Sequence, residues 1–114
     1  MKRVAFIIKG DPFSWKSHEA LRVAMALGIS CEVHLIFIKD GVYLLSKWNP
    51  EALGITGFEK LLDNLEYVNL KLYAEDASLE ERGLKREDLL KPVELRSMDE
   101  IRELISHSEG VFVW

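Results

Sequence analysis

Apolar residues come in short bursts along this chain, separated by polar stretches of two distinct periods. Residues 3–9, RVAFIIK, are too few for a helix and rich in Val and Ile, which predicts a buried strand. Residues 17–27, SHEALRVAMAL, favour a helix, and Gly28 supplies its stop. The run CEVHLIFI at 31–38 alternates at first and then turns continuously apolar, as a strand covered on both faces does. After it, KDG at 39–41 closes the strand, and VYLLSKW reads as a short helix or turn stopped by Asn49-Pro50.

The second half repeats the alternation. Thr56 and Glu59 form a capping-box pattern ahead of Leu61, Leu62 and Leu65. A third strand is predicted over 68–73 and a short helix over about 77–82, ended by Gly83. A brief strand at 93–95 precedes a second capping box, Ser97 with Glu100, and the Ile101, Leu104, Ile105 stripe of an amphipathic helix. Gly110 then releases a last strand at 111–114. Strand and helix alternate with no hairpin signal, which predicts an α/β fold: three layers, α/β/α, around a five-stranded parallel sheet, in one domain over 1–114.

Composition narrows the function classes. With 48% hydrophobic and 30% charged residues, the chain is of ordinary globular type. Its longest apolar runs fall short of the roughly 18 residues that cross a bilayer. The basic start followed by Val4 to Ile8 lacks a cleavage site, because Lys9 and Asp11 stand there, so a cytoplasmic location without membrane contact is expected. A net charge of −4 argues against direct nucleic-acid binding, which depends on neutralising phosphates. The single Cys31 can form no internal disulfide, and no Cys/His cluster has metal-ligand spacing.

Ligands of open α/β sheets gather beyond the carboxyl ends of the strands. Three loops reach that edge, at 9–17, 39–45 and 74–78. The first carries Lys9, Ser14, Lys16 and Ser17 before a helix start, a candidate site for a small anion or nucleotide, although it lacks the glycine spacing of a phosphate loop; the alternative is a solvated loop with Ser17 as N-cap. In the third, Glu75 and Asp76 are either an acid/base pair or a helix start, and Asp76 is placed to cap a helix from Ala77. Cys31 falls at the beginning of its strand, at the opposite edge, with Glu32 beside it, and reads as a small buried hydrophobe rather than a nucleophile. Tyr43 and Trp48 sit in an apolar segment with Asp40 and Gly41, a candidate subunit interface.

The pairing of FIKDGVYLL after the second strand with YAEDASLEERGL after the third resembles the DsrE/DsrF/DsrH superfamily, which includes the TusB, TusC and TusD sulfur-relay proteins. The likeness spans the chain and is nearest the TusC/DsrF side, with TusB/DsrH features in the Tyr73-to-Gly83 spacing and the terminal Trp114. The resemblance implies homo- or hetero-oligomers, usually hexamers, without a cofactor, and persulfide transfer that ends at a tRNA wobble uridine or in Dsr-type sulfur metabolism. In the catalytic branch of that superfamily a cysteine ends the third strand, eight residues before the helix glycine; here that count from Gly83 lands on Glu75. A carboxylate offers no sulfur to attack or be attacked. The implied role is a non-catalytic subunit beside a cysteine-bearing partner, with Cys31 as an alternative sulfur carrier.

Overall fold

The computed structural model describes residues 2–9, 15–45, 69–89 and 93–114. The apolar bursts become five strands: β1 (Arg3–Ile8), β2 (Glu32–Phe37), β3 (Leu70–Glu75), β4 (Val93–Arg96) and β5 (Gly110–Val113). All pair in parallel, in the order β4-β3-β2-β1-β5. The helices are α1 (Trp15–Leu27), α2 (Asp76–Glu81) and α3 (Met98–Ser106), with 3-10 turns at Lys39–Leu45 and Arg86–Asp88. The expected five-stranded parallel α/β fold is present.

Strand order explains the layers. From β1 to β4 the chain steps steadily one way, and right-handed crossovers then place α1 and α2 on one face. The return from β4 to β5 crosses three strands in the other direction and puts α3 on the opposite face. Two cores follow. Val4, Phe6, Ile8, Val33, Leu35, Phe37, Leu70 and Leu72 pack with Ala24 and Leu79 under α1 and α2. The alternate residues Ala5, Ile36 and Tyr73 pack with Ile101 of α3. Burial on both faces accounts for the continuous apolar runs of β1 and β2.

Local signals set most boundaries. Ser97 caps α3: its hydroxyl accepts from the Glu100 N–H at 3.2 Å and its N–H donates to Glu100 Oε1 at 2.9 Å. Gly83, at φ +67°, ends α2 in the left-handed region that favours glycine. Three boundaries differ from expectation. Helix α1 begins at Trp15, so Ser17 lies inside its first turn and is not the N-cap. Strand β3 continues two residues past Tyr73, through Ala74 and Glu75. Helix α2 starts at Asp76, so the N-cap position falls on Glu75, while Asp76 Oδ1 accepts the Ala77 N–H at 2.7 Å as a residue of the first turn. Ser14, Trp48 and the predicted helix carrying Leu61, Leu62 and Leu65, with its Thr56–Glu59 cap, lie outside the described residues.

Candidate functional site

At the carboxyl edge of the sheet, the turn after β2 and the start of α2 are stitched together. Lys39 takes a left-handed φ of 51° and turns its N–H toward α2. That N–H donates to Ser78 Oγ at 2.8 Å. The Ser78 hydroxyl in turn donates to the Glu75 carboxylate. Both side chains are buried, Ser78 at 2% and Glu75 at 8% exposure. Glu75 and Ser78 are therefore a capping box read backwards, E-x-x-S, with the acid at the cap position and the hydroxyl three residues on. The acid bonds a side chain where an N-cap usually bonds a backbone N–H, since Glu75 makes no side-chain cap bond to the helix backbone.

A second stitch lies outside the first. Arg82 Nε donates to Asp40 Oδ1 at 3.0 Å and its Nη1 to the Ser78 carbonyl at 3.1 Å. Asp40 is exposed, so this pair contributes only ~0.5 kcal/mol, and its effect is to position the turn. Gly41 sits against the end of β1: a Cβ there would stand 2.1 Å from the Ile8 carbonyl oxygen. No side chain fits that gap. Beneath the stitches, Val42 and Leu45 join Leu79 in the larger core.

The other candidates are scattered. Cys31 precedes β2 at the amino edge, about 20 Å along the strands from Glu75. Its N–H donates to the Leu27 carbonyl at 2.7 Å, and its sulfur packs against the core. Lys9 is exposed at the end of β1, where its N–H donates to the Trp114 carbonyl at 2.9 Å. Of the proposed anion loop, only Lys9 has a described side chain; Lys16 and Ser17 are described as helical backbone. Tyr43 is half-buried in the 3-10 turn. Asp40 and Gly41 are engaged within the chain, on Arg82 and on β1. Among the described residues, no three acidic, His or Cys side chains gather to hold a metal ion. No helix among them is long and apolar enough to cross a membrane.

The opposite face of the sheet carries a polar row. Arg3 Nε contacts Glu32 Oε2 at 2.6 Å, and this guanidinium hydrogen bond holds the Glu32 carboxyl below its usual range. His34 is buried, stacked parallel on Tyr73 with its Nδ1 at 3.1 Å from the phenol oxygen. Among the described residues its Nε2 has no hydrogen-bond partner, and it lies 3.6 Å from Glu32. Burial lowers the His34 pKa, partly offset by Glu32. Arg96 covers the Tyr73 ring at 5.4 Å. Beside this row, Arg3, Arg96, Glu100, Glu103, Leu104 and His107 line a groove of about 410 Å³.

The depressed His34 pKa sets a sign. The unfolded imidazole, with a pKa near 6.5, binds more protons than the folded one, so stability is full above that pH and falls below it. In His34→Gln the loss of denaturant midpoint between about pH 7.5 and about pH 5.5 should be markedly smaller than in the parent. Equal slopes in parent and variant would remove His34 from the acid limb.

The profile of the DsrE/DsrF-like family matches residues 2–114. The chain belongs to that family. It is 31% identical to the "Protein TusC homolog" of Aliivibrio fischeri, each chain covered in full. It is 26% identical to the "Intracellular sulfur oxidation protein DsrF" of Allochromatium vinosum, over 90% of this chain and 86% of that one. The crystal structure of the ychN protein from E. coli superposes with a TM-score of 0.85 over the full length of both chains, at 19% identity. The two stretches that carry the resemblance, FIKDGVYLL and YAEDASLEERGL, are the two halves of the stitched edge. Read along the sequence, Ser78 and Arg82 have no evident task. The E-x-x-S spacing was the available signal for Ser78; nothing local pointed from Arg82 to Asp40.

Proposed function

We propose that this DsrE/DsrF-like chain is a non-catalytic subunit of a sulfur-relay complex and supports persulfide transfer by a cysteine-bearing partner. The carrying observation is Glu75, a buried carboxylate ending β3, with the only cysteine at the far edge of the sheet. Persulfide exchange needs a thiolate that attacks and a sulfur that leaves, and Glu75 supplies neither. The names of the relatives, TusC homolog and DsrF, support the sulfur-relay part of this reading.

In this proposal the chain works in the cytoplasm within a hexameric assembly of DsrE/F/H-like subunits. The sulfur it helps to move ends in tRNA wobble-uridine thiolation or in Dsr-type sulfur metabolism. Contact in this proposal runs through the 40–48 segment, with Tyr43, Trp48, the exposed Asp40 and Gly41 at the turn. The net charge of −4 leaves RNA contact to the partners.

Pull-down of the tagged protein from its own cell extract should recover a cysteine-bearing DsrE-like chain, and Tyr43→Asp with Trp48→Asp should abolish that recovery. After incubation with a persulfide donor, mass spectrometry should place the added sulfur on the partner. A reductant-labile sulfur on Cys31 of the isolated protein would overturn the assignment.

A further inference from the structure

The two edges of the sheet are built differently. Strand β4 carries Glu94 and Arg96 as a 3.5 Å ion pair and follows Lys91-Pro92 in the sequence. Charge and proline are the ordinary protections of an edge strand. Strand β5 reads GVFV and has neither. Its Val111, Phe112 and Val113 are 42%, 46% and 56% exposed, and among the described residues the sheet ends there.

The main chain of β5 specifies the geometry a partner must match. Trp114 donates to the Ile7 carbonyl and accepts from the Lys9 N–H, so its peptide groups face β1. Alternation turns those of Phe112 inward as well and those of Val111 and Val113 outward. A strand has to supply donors and acceptors to these two residues, and it has to be apolar to cover the side chains.

We propose that β5 pairs antiparallel with β5 of a second copy across a two-fold axis, joining two sheets into one. With the axis at Phe112, Val111 of each copy meets Val113 of the other, and both pairs exchange main-chain hydrogen bonds. Phe112 then opposes its own copy as a non-hydrogen-bonded pair, the arrangement that brings side chains closest. There it extends the aromatic group in which Phe6 lies 5.1 Å from Phe112 and 5.2 Å from Trp114. Pairing of β5 with β4 of another copy would set apolar residues against Glu94 and Arg96 and would generate an open chain of molecules. The two-fold arrangement closes on itself.

This self-pairing does not depend on the relay reading, since the purified chain alone tests it. Light scattering should give the mass of an even-numbered assembly, and Val113→Lys should halve it while keeping the parent's far-ultraviolet circular dichroism spectrum. Glu94→Lys, on the other edge, should leave the mass unchanged. In the parent, hydrogen exchange at the Val111 and Val113 amides should slow as protein concentration rises. A parent that stays monomeric at hundred-micromolar concentration, or an assembly in which those two amides exchange as free ones, overturns the proposal. The exchange measurement holds even where Val113→Lys fails to fold.

Discussion

Gly41→Ala should lower the melting temperature by about 15 °C. The added methyl would stand 2.1 Å from the Ile8 carbonyl oxygen, and the obstacle is backbone, not a side chain that can swing aside. That oxygen also accepts the Ile38 N–H at 3.0 Å, so moving it breaks a bond between the ends of β1 and β2. Overpacking of this severity costs about 3 kcal/mol. For a domain of this size each kcal/mol shifts the midpoint by about 5 °C. A thermal melt followed by circular dichroism measures it. A shift below a few degrees would mean that the turn relaxes away from β1.

Ser78→Ala should cost about 2–3 kcal/mol, read as a drop in denaturant midpoint at constant slope. The substitution orphans the buried Glu75 carboxylate and the Lys39 N–H together. The double variant Glu75→Ala/Ser78→Ala should recover part of that loss, because a buried acceptor without a donor is worse than no acceptor. Additive losses from the two single variants would show that the residues are not coupled. The same test bears on the relay reading. It asks whether the acid is integrated into the fold, as a residue with a structural task would be.

Much of the architecture was legible along the chain. Apolar runs of four to eight residues, separated by helical stripes, led directly to the parallel sheet, since both strand and helix periods are local properties of the backbone. The Ser97–Glu100 cap was legible for the same reason: both partners lie within one helical turn. Cys31 was placed at the amino edge by the turn that precedes it, and the structure puts it there.

His34 was not legible. It breaks the apolar pattern of its strand, which fits a satisfied histidine as well as an exposed one, and only the stacking on Tyr73 of the next strand and the burial there decide between them. The task of Glu75 was hidden for a related reason. Its partner Ser78 is near in sequence, but Ser78 is held by Lys39, thirty-nine residues away. Gly41 looked like a loop residue because the carbonyl it must clear belongs to β1.

By itself, the order of residues determined the periods, the caps and the lack of any thiol after position 31, because these depend on neighbours a few bonds apart. The folded molecule alone decided that His34 is covered, that Glu75 is buried and bonded, and that among the described residues β5 is left open while β4 is guarded. Those outcomes depend on contacts between segments distant in sequence, and only closing the sheet brings such segments within hydrogen-bond reach.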